Sequence, residues 1–357
     1  MKRGEQAGLR STRRRRLLQG LAGLMGTVWG PLPGTVRAVE PQAVVRPARP
    51  LRVAMVLWRG ETEVEQGFRE RIAEAGLPLR IEVHDLARDL SALPGVLARL
   101  RADPPELVYT WGTGVTLGVA GRHEESLAGL AGLPGLDGVP VVFVMVAAPV
   151  DTGLIPADGR SRRNLTGVSH IAPMEAQIAA IRAYLPMRRL GVVYNFAEPA
   201  SRASLSALKA LGGQLGFEVE AWALGEDGPA RVEDIAPAVA ELAGRGVEVL
   251  YIGPDNFIGN HRDVLTEAGF RYRLPAFTAT ALEVRDGQAL FGLVSRYELV
   301  GRLAAEKALQ ILRDGRSPED IPIETLDRFA YLIRLSAAHR LGLYPPLPLL
   351  DYAEVIE

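Results

Sequence analysis

Cysteine is absent from the 357 residues. That excludes thiol catalysis, disulfides, thiolate metal sites and a lipid-modified cysteine as a membrane anchor. Lysine is almost absent: Lys2, Lys209 and Lys307 are the only three, and arginine carries the rest of the positive charge, a feature of genome composition. Histidine is sparse too. His84, His123, His170, His261 and His339 are scattered, with no HxH or HExxH spacing for a metal, so no metal ligand is assigned. Ser169 stands in Gly-Val-Ser-His-Ile, which lacks the second glycine of a nucleophile elbow. His170 beside it would face the other side of a strand. No catalytic residue and no cofactor is therefore expected.

A long apolar run is also missing. The run Gly20–Leu32 is too short and too glycine-rich to span a bilayer. It follows Arg13-Arg14-Arg15-Arg16 and precedes Val36-Arg37-Ala38, whose positions suit a cleavage site. The order of charged, apolar and small residues predicts an export signal over 1–38, cleaved near Ala38. Arg14-Arg15-Arg16-Leu17-Leu18 resembles a twin-arginine signal, which implies a bacterial periplasmic protein. A Sec signal with extra basic residues is the alternative, and a retained basic tail is a third. Residues 1–38 hold eight Lys/Arg and one acidic residue, which leaves 33 basic against 41 acidic residues, a net of −8. Nucleic acid demands a basic face, and this balance does not supply one.

What remains is globular: 48% of the chain is hydrophobic and 23% charged, in a length that exceeds a single core of about 250–300 residues. The proline-rich stretch from Pro41 to Pro50 reads as part of a flexible leader over 39–50. From Leu51 onward, strands and helices alternate, starting with Leu51–Trp58 and continuing to a long helix over Glu298–Leu312. Such alternation predicts an α/β fold of two doubly wound parallel-sheet lobes with a ligand cleft between them. The stretch from Val139 to His170 begins as a fully apolar strand, breaks at Pro149 and re-enters order at Asn164. It reads as a crossover between the lobes; an ordinary long loop within one sheet is the alternative. Lobe 1 is expected over 51–160 and 289–325, and lobe 2 over 161–288 and 326–357.

Four strand-to-helix junctions would face the cleft. Thr113 and Gly114 follow the third strand in Trp111-Gly-Thr-Gly-Val-Thr-Leu-Gly118, where free helix amides can bind a carboxylate or phosphate. The same glycines also fit a purely structural turn, and less well a dinucleotide loop. Asn164 and Thr166 can meet a ligand's polar groups or pin the chain. Tyr194 and Glu198, before a helix starting near Ser201, could stack on a ring and hold an ammonium, or simply cap the helix. Asp255 in Gly-Pro-Asp-Asn-Phe is a candidate amine partner, although Pro-Asp-Asn is also turn chemistry.

Taken in order, Val139-Pro-Val-Val-Phe-Val, Pro149-Val150, Gly153-Leu154 and Asn164-Leu-Thr-Gly-Val-Ser169 resemble the ABC-transporter substrate-binding proteins of the tryptophan/tyrosine-binding type. Arg189-Leu-Gly-Val-Val-Tyr-Asn195, Glu198-Pro199, Pro254-Asp-Asn256 and Gly301-Arg302 extend the likeness from about residue 51 to the end. Ala148 and Arg334 depart from the family's Asp and Asn, Ala200 stands where it has Asn, and the loop Trp58–Gln66 is shorter. The resemblance implies a type I periplasmic-binding architecture whose lobes close on a small amino-acid-like ligand without turnover. By position, Thr113, Gly114, Asn164, Thr166, Tyr194, Glu198 and Asp255 would line the cleft. The implied partner is an ABC permease in the inner membrane. A ligand-sensing domain of a signalling system is the second reading, and an exported α/β enzyme the third.

Overall fold

The structure, a computed structural model, describes residues 49–123, 136 and 138–357. The expected export signal and most of the leader lie outside the described residues. The first lobe opens with β1 (Leu51–Leu57), α1 (Glu63–Glu74), β2 (Leu79–Asp85), α2 (Leu93–Ala102), β3 (Leu107–Trp111) and α3 (Thr113–Ala120). β4 (Val141–Val146) and β5 (Leu165–Ser169) follow. Among the described residues these strands form one parallel sheet in the order β2-β1-β3-β4-β5. β3 and β4 are buried at every position, as parallel strands covered on both faces must be, whereas edge strand β2 alternates.

The second lobe continues with α4 (Met174–Tyr184), β6 (Arg189–Asn195), α5 (Pro199–Leu215), β7 (Glu218–Leu224), α6 (Ile235–Gly244) and β8 (Val249–Ile252). Next come α7 (Asn256–Asn260), α8 (Arg262–Arg271), β9 (Ala276–Thr278), α9 (Leu282–Arg285) and β10 (Phe291–Val294). The chain then returns to the first lobe as α10 (Tyr297–Leu312). It ends in the second with β11 (Ala330–Arg334), α11 (Leu335–Leu341), α12 (Leu347–Leu350) and β12 (Glu354–Ile356). The second sheet runs β12-β11-β10-β9-β8-β6-β7, and β10–β11 is its antiparallel pair. The α/β fold of two sheet-centred lobes is thus as the sequence predicts.

Two boundaries differ. The stretch after Pro149 is not the crossover: β5 pairs in parallel with β4, from Val141 opposite Leu165 onward, so residues 147–164 are a loop within lobe 1. The chain leaves that lobe after Ser169, not at 160. β10 belongs to the second sheet, with Phe291 opposite Phe277, so the return begins after Val294, not at 289. A strand's local sequence states that it is buried, not which sheet buries it. The third crossing lies between Glu324, whose carbonyl accepts from Ser169 N at 2.8 Å, and β11.

The return helix is held by a close approach. A Cβ on Gly67 of α1 would fall 2.1 Å from the Glu298 carbonyl oxygen, and one on Gly301 of α10 would fall 1.8 Å from that of Val64. Two reciprocal glycines therefore bring the helix backbones into contact. Thr62 and Glu65 form a capping box at the start of α1, and the buried Glu65 carboxylate also accepts from Tyr109 Oη at 2.6 Å.

Candidate functional site

Sheet order locates the site. Strand order reverses between β1 and β3 in the first sheet and between β6 and β8 in the second. Open α/β sheets leave a crevice at such points, outside the strand carboxyl ends. A cavity of about 480 Å³ occupies this place, lined from both lobes and within the range of small-molecule sites.

The first lobe supplies positive charge. Arg59 follows β1, with its guanidinium 5.4 Å from the centre of the Trp111 ring, and its Nε is buried without a hydrogen-bond partner. Arg88 also lines the cavity. Ala87 and Arg88 both have positive φ (48° and 66°), a strained turn that Arg88 N steadies by donating to Trp58 O at 2.7 Å. Among the described residues neither arginine has an acidic partner within ion-pair distance. Gly112, at φ 88°, turns the chain sharply into α3, whose first turn at Thr113, Gly114 and Val115 also lines the cavity. The first i→i−4 bond there is Thr116 N to Gly112 O, so the preceding amides have no helical acceptor.

The second lobe supplies negative charge. Glu198 precedes α5 and accepts from Asn256 N and Phe257 N, both at 2.9 Å. Asp255 caps α7, accepting from Ile258 N at 2.8 Å, and also accepts from Asn195 N at 2.7 Å and Ser201 Oγ at 2.8 Å. The two carboxylates lace the β6 and β8 junctions together. Burial is the main force raising the Glu198 carboxyl to about 7, with repulsion from Asp255 adding to it and the amides opposing. Burial raises Asp255 as well, against the hydrogen bonds it receives. Glu283, buried, accepts from Thr280 Oγ1 at 2.6 Å on the same side.

Of the residues expected from the sequence, Thr113, Gly114, Glu198 and Asp255 line this cavity. Asn164, Thr166 and Tyr194 do not. Asn164 is exposed at the amino end of β5, the end away from the cleft. Thr166 is buried and donates to Ile321 O at 2.9 Å, pinning the chain just before the third crossing. Tyr194 packs, half-buried, against the second lobe's core, and its successor Asn195 reaches the cavity instead. Arg59, Arg88, Met145 and Tyr297, which also line the cavity, carry no expectation from the sequence, and His170 is weighed there only as a catalytic partner of Ser169. A strand-end position was the available signal for Arg59, while the strained turn at Arg88 leaves no mark in local composition.

Two lobes around a cavity with opposite charge on its walls define a two-lobed ligand-binding protein. The chain belongs to the ABC transporter substrate binding protein family, whose model matches residues 64–356. This is a family of binders, not of enzymes. The chain is 22% identical over 276 residues to a tyrosine-binding protein of Clostridioides difficile, a match spanning 76% of this chain and 74% of that one. Among solved structures, a conserved domain protein from Vibrio cholerae superposes with a TM-score of 0.72 at 20% identity, over 87% of this chain and all of that one. An ABC domain in complex with L-Trp from Streptococcus pneumonia superposes with a TM-score of 0.70 at 22% identity, over 85% and 100%. These two share its fold.

Proposed function

We propose that this protein is the exported receptor of an ABC importer and holds a zwitterionic amino acid between its lobes. The separation of charge across the cleft carries the reading. Arg59, Arg88 and the first turn of α3 offer a carboxylate its partners, and Glu198, Asp255 and Glu283 offer an ammonium its own. Trp58, Trp111, Phe257 and Tyr297 supply apolar wall between them, suited to an aromatic side chain, and the tyrosine-binding relative favours that class. Neither lobe alone carries both sets of charge, so the ligand favours the state in which the lobes meet. The permease would then read the closed form, and the protein would work in the periplasm once the segment 1–38 is removed. The division into lobes at 51–169 with 297–324, and 170–294 with 330–357, belongs to this reading.

Thermal-shift screening of the standard amino acids, followed by calorimetry on those that stabilise, tests it. A ligand raises Tm and is recovered chemically unchanged. Arg59→Met weakens it by about tenfold or more, since a charge-assisted pair is lost. Stabilisation by no amino acid, or recovery of a modified product, would sink the receptor reading.

A further inference from the structure

The charged walls account for an amino acid's head and leave part of the cavity lining unexplained. Trp111, Met145 and His170 line the same cavity and are 6%, 6% and 4% exposed, as buried as Asp255 and Glu283 at 8% and 4%. Trp111 ends β3, Met145 lies in β4 and His170 follows β5, so the three come from neighbouring strands. Two of them carry buried polar atoms with no protein partner, Trp111 Nε1 and His170 Nδ1. Buried polar groups are nearly always satisfied, so two orphans on neighbouring residues that line one cavity are groups a bound ligand can pair.

Met145 adds an independent mark. β4 and β5 lose register between Val144 and Val146, which pair with the successive residues Val168 and Ser169. Met145 is the extra residue of this bulge, held at φ 57°, a conformation strained for a side chain of its size. The bulge falls on the strand between those of Trp111 and His170, and the polarisable thioether of Met145 lines the same cavity, a surface suited to an aromatic ring.

Resting on the amino-acid reading above, we propose that Trp111, Met145 and His170 form a subsite for the ligand's side chain. It selects an aromatic ring bearing a hydroxyl over the same ring without one. The chemistry fits a hydroxyl on each count. Trp111 Nε1–H can only donate, and a hydroxyl accepts. Burial holds the His170 imidazole down to about 3 and hence neutral, so Nδ1 donates or accepts according to its tautomer, and a hydroxyl matches either. The His170 carbonyl also accepts from Ser295 Oγ at 2.6 Å, tying this residue to the second crossing. The subsite thus sits where two of the three interlobe connections meet.

Calorimetry with L-tyrosine and L-phenylalanine isolates the hydroxyl, because head and ring are the same. The unsubstituted protein binds tyrosine at least about tenfold more tightly, since a site that pairs a ligand hydroxyl rejects the analogue that leaves its polar groups bare. In His170→Leu the ratio falls to within threefold. His170→Asn, whose amide can stand near the position of Nδ1, keeps most of it. Equal affinity of the two ligands for the unsubstituted protein overturns this subsite while leaving the receptor reading intact. So does a ratio unchanged in a folded His170→Leu protein. Failure of every amino acid to bind overturns both. The comparison on the unsubstituted protein decides the matter even if His170→Leu does not fold.

Discussion

At the scale of single residues, the site is a contest between burial and pairing. Glu198 is held by two backbone amides, yet desolvation and the nearby Asp255 outweigh them, and its carboxyl titrates near 7. A carboxyl with a higher pKa in the folded chain than in the unfolded one binds extra proton on folding. Its contribution to stability therefore shrinks as pH rises from the ordinary carboxyl range through about 7. An ammonium ligand reverses the preference by favouring the charged form. Unliganded protein should lose stability as pH rises from about 4.5 to about 7, by urea midpoint, while affinity for an amino acid rises across the same interval. Glu198→Gln should flatten both dependences. A binding constant independent of pH in the unsubstituted protein would remove Glu198 from contact with the amine. Asp255 is a different case. The sequence offers it as a candidate amine partner, and it lines the cavity, but its oxygens are committed to a helix cap, a strand-end amide and Ser201. Asp255→Ala is expected to lower stability as well as affinity, by about 0.5–2 kcal/mol for the cap alone.

At the scale of elements, what periodicity and breakers encode was readable and what depends on partners was not. The fully apolar β4 and the alternation that calls for parallel sheets are local facts. Both survive in the structure. The lobe membership of β5 and β10 depends on which strand lies next to them, and sequence alone misplaced both. Asn164 and Thr166 lie away from the cavity for the same reason, because the crossover expected beside them stands elsewhere in the fold. Gly67 and Gly301 are intermediate. Each is an ordinary glycine in a helical stretch, a position that weakens a helix relative to alanine. Their use becomes visible only when α1 and α10 meet. Because the clash at Gly301 would be with backbone, no rotamer change can relieve it. Gly301→Ala should destabilise the protein by about 2 kcal/mol or more, at or above the usual cost of overpacking. Gly213→Ala, whose added Cβ would meet nothing within 4 Å, should be neutral or stabilising. Equal melting temperatures for the two variants would mean that α10 does not pack on α1 in this way.

At the scale of the whole molecule, the cleft sets arginines on one lobe against carboxylates on the other, and three connections join the lobes. A ligand charged at one end engages one wall and gains little from bringing the second wall closer. A zwitterion gains from both only when the walls approach. Differential affinity for the closed state is the sole means by which a ligand can shift the equilibrium toward it. Tyrosine, tyramine and 3-(4-hydroxyphenyl)propionate share a ring and a hydroxyl and differ in which head charges they keep. Small-angle scattering should show the radius of gyration falling with saturating tyrosine and unchanged with either of the other two. Their affinities should be weaker by about a hundredfold, roughly 2–3 kcal/mol, since each forgoes the charge-assisted hydrogen bonds of one wall. If tyramine alone contracts the molecule as tyrosine does, closure is driven from the carboxylate wall. Arg59 and Arg88 would then serve some purpose other than gripping the ligand's acid.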